Sequence, residues 1–282
     1  MLPDTLVTTD WLETHLADSD LRVVDIRGHV LPASEPTPHY FNHYADYQQS
    51  HIPGAVFVDW VFEITDPADP RHAPIAPPER FAAVMDRCGI GPDTFVVVYD
   101  DANGMFAARL WWALNYYGHH RVAVLDGGWT LWTAENHPVT AEIPNVAPAH
   151  FVAQPDPAWR RTGDQVLQAL HSDTRLLDVR SPQEFAGEYA RARRTGHIPG
   201  AVNVPRTVLL AADGKLLPPD QLRQTLAQVG IDDSAQETII YCNSGVSASF
   251  GLLAMKVAGL ESGTVYDGSW KDWGNDDSKP IE

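Results

Sequence analysis

The second half of the chain repeats the first half, motif by motif and in the same order. The first copy contains LRVVDIR (21–27), SHIPGAVFVD (50–59), FVVVYDDANG (95–104) and VAVLDGGW (122–129). The second copy contains TRLLDVR (174–180), GHIPGAVNVP (196–205), TIIYCNSG (238–245) and GTVYDGSW (263–270). A repeat of about 140 residues is far longer than a solenoid unit, so it predicts a duplicated domain and not a stacked array.

The two copies are joined by the Pro-containing polar stretch TAEIPNVAPAHFVAQPDP (140–157), which is typical of a linker. We therefore place a domain boundary near residue 148. This boundary gives a first domain over residues 1–147 and a second, cysteine-bearing domain over residues 148–282. Each would be long enough to bury its own core.

Short apolar runs rich in β-branched residues, such as VVVY and TIIY, alternate with helical patterns in each copy. The helical patterns PERFAAVMDRCG (78–89) and PDQLRQTLAQVG (219–230) both end at glycines that suit helix C-caps. The alternation predicts an α/β fold in which each domain is a mainly parallel sheet flanked by helices. Ligands of such sheets bind outside the carboxyl ends of the strands, and TIIYC places Cys242 at such an end.

Basic and acidic side chains are strongly out of balance. The chain has 20 Lys and Arg residues against 37 Asp and Glu residues, and its formal net charge is -17 at pH 7. A nucleic-acid surface is disfavoured, because a polyanion would be repelled. No stretch approaches the roughly 20 apolar residues of a membrane span, and the N-terminal MLPDTLVTTDW lacks a secretion core. We expect a cytoplasmic protein without a membrane partner.

Cys242 is one of only two cysteines, so a disulfide framework is excluded. The predicted strand TIIY leads into CNSGVSA and then into an apolar helical stretch, ASFGLLAMKVAG (248–259). Small residues in this loop let several backbone N–H groups turn toward the sulfur, which favours thiolate and persulfide anions. The alternative is a buried cysteine that serves as a small hydrophobic residue. The first copy has Asp100 at this position, which predicts one reactive thiol per chain.

Cysteine phosphatases use a similar loop, but they need an Arg six residues after the cysteine to bind the phosphoryl dianion. Here that position holds Ala248. Without a planar bidentate donor, phosphatase chemistry is disfavoured.

The two domains, the repeated HIPGA, the ending YDGSWKDWG and the loop CNSGVSA together resemble the tandem-domain rhodanese family over nearly the whole chain. The resemblance implies a ping-pong reaction. The Cys242 thiolate would take sulfur from a small anionic donor, form a persulfide, and pass the sulfur to an acceptor thiol, thioredoxin or cyanide. The resemblance implies no metal and no organic cofactor.

Within this family, the residues after the cysteine differ with the donor. Members that prefer thiosulfate carry basic residues where this chain has Asn243 and Ser244. Members that use 3-mercaptopyruvate have a neutral CGSGVTA-like loop, to which CNSGVSA is similar. The resemblance favours 3-mercaptopyruvate, with a thiosulfate:cyanide sulfurtransferase as the alternative. A third hypothesis is a binding or regulatory module that keeps the fold without turnover.

In mercaptopyruvate members, two arginines that follow the second DxR motif bind the substrate. This chain has Glu184 where the first is expected, and it offers three other arginines as candidates: Arg180, Arg191 and Arg194. The candidate donor-binding residues also include four from the cysteine loop: Asn243, Gly245, Val246 and Ser247. The alternative for the arginines is a solvated surface run.

In the same family, the serine two residues after the cysteine is thought to assist proton transfer with a His and an acid from the first domain. Ser244 matches this serine, and His72 lies 13 residues after Asp59, a spacing similar to that of the family. The position expected for the acid holds Val61, and Glu63 is the nearest carboxylate. Ser244 and His72 are thus candidate catalytic residues beside Cys242.

Several other polar residues and the second cysteine are expected to be structural. His51 begins HIPGA in the copy without the thiol, and His197 begins it in the copy with the thiol. Because both copies keep the histidine, we expect it to hold the turn and not to take part in catalysis. Asp25 and Asp178 end predicted strands just before an Arg, where a buried network is expected. Cys88 lies on an apolar helical pattern and is expected to be inert.

Overall fold

The computed structural model describes residues 5–69 and 74–282 of the chain. They form two compact units. The first takes in nearly all residues up to Asp156, and the second nearly all residues from Pro157 onward. Each unit is built on its own parallel β-sheet.

The segment 140–156, expected to be a linker, packs with the first unit. His51 and Thr140 exchange two backbone hydrogen bonds of 2.9 Å each. Further along the segment, the Gln154 N–H donates to the Tyr117 carbonyl at 3.0 Å. These main-chain bonds tie the segment to the first unit. The domain boundary that the sequence places near residue 148 lies within this segment.

The first unit contains a five-stranded parallel sheet with the order β1-β7-β6-β2-β5 and a short antiparallel hairpin of β3 and β4. Its elements are β1 (Leu6–Val7), α1 (Thr9–His15), β2 (Leu21–Asp25), β3 (Gly28–Val30), β4 (Tyr40–Asn42), α2 (Tyr44–Gln49), β5 (Val56–Phe57), α3 (Pro78–Arg87), β6 (Phe95–Tyr99), α4 (Met105–Tyr116), β7 (Val122–Leu125) and α5 (Gly128–Ala134).

The second unit repeats this topology. Its elements are β8 (Arg160–Arg161), α6 (Gly163–Ala169), β9 (Arg175–Asp178), α7 (Pro182–Phe185), β10 (Val202–Asn203), α8 (Pro219–Ala227), β11 (Thr238–Tyr241), α9 (Val246–Val257), β12 (Gly263–Tyr266) and α10 (Ser269–Trp273), with 3₁₀ turns at Pro157–Trp159 and Arg206–Leu209. The sheet order is β8-β12-β11-β9-β10, and every neighbouring pair is parallel. The predicted α/β fold with two similar domains is confirmed.

Proline and glycine define the ends of two matching helices. Helices α3 and α8 begin with Pro78 and Pro219 in their first turns, where a backbone N–H has no helical partner. Beyond their other ends, Gly89 and Gly230 have φ values of 67° and 78°, a left-handed conformation that glycine adopts without a Cβ clash. The glycine C-caps that the sequence predicts are confirmed.

The helices that follow the central strands form the centre of each unit. Helix α4 follows β6 and is buried from Phe106 to Tyr116, and α9 follows β11 and is buried from Ala248 to Met255. The aromatic segment 106–120 is therefore largely buried. The first N–H groups of a helix have no partner within the helix, so those that are buried need acceptors elsewhere in the protein.

A buried ion pair lies at the carboxyl end of the same strand in each unit. Asp178 binds Arg180 Nη2 at 2.6 Å, and neither side chain is exposed. Arg180 also donates to the Gly196 carbonyl at 2.9 Å. In the first unit, Asp25 and Arg27 form the matching pair at 2.8 Å. The structural role predicted for the two aspartates is confirmed.

The two HIPGA histidines hold the chain near the turn that they begin. His51 Nδ1 lies 2.7 Å from the Tyr47 carbonyl oxygen. His197 Nδ1 lies 2.9 Å from the Phe185 carbonyl oxygen, and its ring stacks on the Phe185 ring with 3.7 Å between centroids. These contacts agree with the structural role that their presence in both copies predicts.

Replacing Asp178 with Asn would leave the Arg180 guanidinium buried without its counter-charge. Because breaking a buried ion pair in this way is strongly destabilising, we expect the free energy of unfolding to fall by about 3–5 kcal/mol in urea denaturation. The control is Asp233→Asn, which removes the exposed partner of Arg223 and should cost less than about 1 kcal/mol. Equal losses in the two variants would contradict the importance of the buried pair.

Candidate active site around Cys242

Cys242 directly follows β11, the central strand of the second sheet. Residues 243–245 form a short loop, and Gly245 caps helix α9 with a left-handed φ of 76°. The thiol is free, and the residue is 4% exposed. The cysteine thus lies where the sequence predicts it, at the carboxyl end of a parallel strand and just before a buried helix.

The equivalent loop of the first unit shows what this backbone arrangement binds. The Asp100 carboxylate accepts four backbone N–H groups, two on Oδ1 and two on Oδ2. The donors are Ala102 at 2.8 Å, Gly104 at 2.9 Å, Phe106 at 2.7 Å and Ala107 at 2.8 Å. Burial raises the pKa of the Asp100 carboxyl, and the loop N–H groups oppose that shift by stabilising the anion. We call this arrangement of N–H groups around an anion the amide cradle.

The loop of Cys242 resembles the Asp100 loop, although it reaches its capping glycine after three residues and the Asp100 loop after four. Both loops lead into a helix that is capped by a left-handed glycine. The Asp100 carbonyl accepts the Trp129 N–H at 2.8 Å, and the Cys242 carbonyl accepts the Trp270 N–H at 3.0 Å. Cys242 therefore takes the position in the chain that Asp100 has in the first unit.

Counted from the two capping glycines, the N–H groups of Ser247 and Ala248 match those of Phe106 and Ala107. In the first unit, this pair binds Oδ2 of Asp100. A thiolate or persulfide at the start of a helix is stabilised by such N–H groups. The arrangement suits a sulfur atom that must carry negative charge before and after it acquires a second sulfur.

Ser269 is a site residue that the sequence analysis missed. It is fully buried, and its hydroxyl oxygen accepts the N–H groups of Cys242 and Gly245, each at 3.1 Å. The same oxygen lies 4.0 Å from the Cys242 sulfur and donates to the Tyr266 carbonyl at 2.8 Å. Its φ of 52° is a left-handed value that residues other than glycine rarely adopt.

The repeat itself contains the signal that could have found Ser269. Aligning GTVYDGSW with VAVLDGGW places Ser269 opposite Gly128, which has a φ of 55°. The Gly104 N–H donates to Asp100 in the first unit, whereas the matching Gly245 N–H donates to Ser269 in the second. The serine hydroxyl thus supplies an acceptor that is lost when Asp is exchanged for Cys.

Asn243 and Glu184, two positions at which the chain departs from the mercaptopyruvate pattern, contact each other. Asn243 Nδ2 donates to Glu184 Oε1 at 2.8 Å. The other carboxylate oxygen accepts the Ser181 hydroxyl at 2.8 Å and the Ser181 N–H at 3.3 Å, in a capping box at the start of α7. Glu184 is 7% exposed. A buried carboxylate therefore lies beside the cysteine loop, where the resemblance leads one to expect an arginine.

The candidate arginines have different surroundings. Arg180 is held by Asp178 and lies over the Trp270 ring at 4.5 Å. Arg191 is partly exposed. Arg194 donates to four carbonyls of the C-terminal segment, those of Trp273, Gly274, Asp276 and Lys279. The guanidinium groups of Arg180 and Arg194 thus stabilise the second unit. Arg180 Nη1 is buried without a hydrogen-bond partner among the described residues and stays available to a donor.

Only some residues of the predicted proton relay lie among those that the structure describes. Ser244 is buried in the cysteine loop at 9% exposure. His72 lies outside the described residues. Val61 is buried, and Glu63 binds Arg87 at 2.8 Å. The catalytic role of Ser244 and His72 stays a prediction, and the nearest carboxylate is already paired.

Metal-binding side chains are not clustered in the described parts of the chain: residues 5–69 and 74–282 contain no group of three or more His, Cys, Asp or Glu residues that could hold an ion. Among the helices of the same ranges, none has the length and apolar character that crossing a membrane requires.

Comparison with protein-family models finds the rhodanese-like domain twice, at residues 8–135 and 162–276. The two matches cover most of the chain, one in each unit. The chain belongs to the rhodanese-like family. This confirms the resemblance that the repeated motifs and the CNSGVSA loop indicate.

Known relatives match this rhodanese-like chain over nearly its full length. The sulfur carrier protein TtuD of Thermus thermophilus is 34% identical over 293 residues, 99% of this chain and 96% of the relative. A Haloferax volcanii protein provisionally named a thiosulfate sulfurtransferase is 34% identical over 288 residues, with the same coverage. The crystal structure of SseA from Escherichia coli, described as a 3-mercaptopyruvate sulfotransferase, has a TM-score of 0.83 and 31% identity, over 95% of this chain and 99% of that one.

Replacing Ser269 with Gly keeps the left-handed backbone but removes the acceptor of two N–H groups in the rhodanese-like loop. Because an unsatisfied buried N–H costs about 1–3 kcal/mol, we expect sulfur loading of Cys242 to slow by about tenfold. Quenched-flow mass spectrometry of a single turnover measures the rate. The exposed Ser234, changed to Gly, is the control. Equal rates in both variants would show that Ser269 does not position the loop.

The two cysteines of the rhodanese-like units should differ in reactivity. Burial raises the pKa of the Cys88 thiol to about 11, so this thiol stays protonated at neutral pH. We expect iodoacetamide at neutral pH to modify Cys242 alone in the native protein and both cysteines in urea. Peptide mapping by mass spectrometry assigns the modified residue. Modification of Cys88 as fast as Cys242 would contradict the assignment of the reactive thiol.

Proposed function

We propose that the chain is a sulfurtransferase that moves sulfane sulfur from 3-mercaptopyruvate, through a persulfide on Cys242, to a thiol or cyanide acceptor. The observation that carries this proposal is the pair of equivalent loops. One holds the Asp100 carboxylate with four N–H groups, and the other places Cys242 at the matching position before a glycine-capped helix. A loop that stabilises one anion suits both the thiolate and the persulfide.

The reaction has two halves. First, the Cys242 thiolate attacks the sulfur of 3-mercaptopyruvate, so that an S–S bond forms as the C–S bond breaks. The carbon leaves as the enolate of pyruvate and takes up the proton that the donor thiol gives up. Ser244, with His72, is our candidate for moving this proton. Second, a thiolate or cyanide attacks the outer sulfur, and Cys242 leaves as a thiolate.

Thiosulfate is the alternative donor, because one relative carries a thiosulfate name and a similar solved structure carries a 3-mercaptopyruvate name. The loop favours 3-mercaptopyruvate, since Asn243 and Ser244 offer no cation to a dianion. A binding or regulatory module without turnover is the second alternative, motivated by Glu184 and Val61 at expected functional positions. The proposal further includes thioredoxin as an acceptor, no cofactor and a cytoplasmic location.

Incubation with 3-mercaptopyruvate should add about 32 Da, one sulfur atom, to the intact protein. Cys242→Ser should abolish this adduct because the nucleophile is gone, and Cys88→Ala should keep it. We expect 3-mercaptopyruvate to load the protein faster than thiosulfate. A clear preference for thiosulfate would favour the alternative donor. An absence of any adduct with both donors would favour the binding module.

A further inference from the structure

Glu184 places a negative charge next to the cysteine loop. Its Oε1 lies 2.8 Å from Nδ2 of Asn243, the residue that follows Cys242 in the chain. At 7% exposure the side chain has little contact with water. A charge in such surroundings is poorly screened, so it acts on other charges over several ångströms.

No ion pair neutralises Glu184 within the described parts of the chain. Its hydrogen-bond partners are the neutral side chain of Asn243 and the hydroxyl and N–H groups of Ser181. The guanidinium of Arg180 is paired with Asp178 at 2.6 Å. Burial acts to lower the pKa of Arg180, and the charges of Asp178 and Glu184 raise it. The side chains of Asp178, Arg180 and Glu184, counted by themselves, carry one net negative charge.

The amide cradle and Glu184 act on different parts of a bound donor. The cradle N–H groups stabilise the charge that resides on the Cys242 sulfur or on the sulfur bonded to it. Any second negative charge on the donor, such as a carboxylate, is too far from those N–H groups to be stabilised by them. The Glu184 carboxylate repels this second charge, and the repulsion increases with each additional negative charge on the donor.

We propose that Glu184 is a specificity-determining residue that selects sulfur donors by charge, and that the natural donor carries at most one negative charge near the transferred sulfur. This inference rests on the proposed function, because it presupposes sulfur loading at Cys242. Among donors of equal intrinsic reactivity, the inference predicts that an uncharged donor loads sulfur fastest, a monoanion more slowly and a dianion most slowly. A mercapto-ketone monocarboxylate is thus accepted at a reduced rate, and thiosulfate is discriminated against most strongly.

The test compares how a mutation changes the rates of two donors, one with and one without a carboxylate, so that the difference in their intrinsic reactivity cancels. Mercaptoacetone has a methyl group where 3-mercaptopyruvate has its carboxylate, and both offer the same thiol beside a ketone. The kcat/KM for each donor reports the loading half-reaction. Glu184→Gln removes the charge, and Gln is compatible with the capping box. We expect this variant to raise kcat/KM for 3-mercaptopyruvate by about tenfold, and for mercaptoacetone by less than about twofold.

Thiosulfate should gain more from Glu184→Gln than 3-mercaptopyruvate does, because it carries two charges. Glu188→Gln is the matched control: Glu188 is exposed in the segment after α7, so the net charge of the protein changes equally while the loop does not. This control should leave the ratio between the two mercapto-ketones unchanged. Glu184→Ala, which removes the carboxylate without adding an amide, should reproduce the donor dependence of Glu184→Gln.

Asn243→Ala separates charge from loop positioning, since it breaks the 2.8 Å contact but keeps the carboxylate. We expect it to preserve the wild-type ranking of donors. The inference is overturned if Glu184→Gln changes both mercapto-ketones by the same factor, or if Asn243→Ala shifts their ratio as much as Glu184→Gln does. A wild-type protein that gains no sulfur from any donor would instead overturn the proposed function.

Discussion

Backbone N–H groups at the start of a buried helix must find acceptors, and both units meet this requirement at the end of their central strand. In the first unit, the Asp100 carboxylate accepts four of them. In the second, the Ser269 hydroxyl accepts two loop N–H groups, and Cys242 stands at the chain position of Asp100. The chemistry proposed for Cys242 follows from this backbone requirement.

Two opposite electrostatic influences meet at the cysteine loop. In the mechanism that we propose, the N–H groups favour negative charge on sulfur, while Glu184 and the overall charge of -17 oppose further negative charge nearby. The two influences coexist because the first acts at hydrogen-bond distance and the second over a longer range. A site of this kind can hold a persulfide anion tightly and still bind anionic small molecules weakly.

The sequence predicts the fold and the position of Cys242 well, because both depend on local patterns that the duplication shows twice. Ser269 was missed because its role depends on a hydroxyl that reaches a loop 27 residues earlier. The contact of Asn243 with Glu184 spans 59 residues. The four carbonyls that bind Arg194 lie in an irregular C-terminal segment whose path no periodicity reveals. Long-range polar contacts of these kinds leave no local signature.

The anion in the first loop is a fixed side chain, whereas the anion proposed for the second loop gains and loses a sulfur atom in each reaction cycle. Asp100 therefore gives the first unit a finished loop as soon as it folds, and no small molecule can compete for it. The loop after β11 depends on what the sulfur carries. In the proposed reaction this loop alternates between a bare thiolate and a longer persulfide, so it must accommodate two anions of different size where the first loop accommodates one.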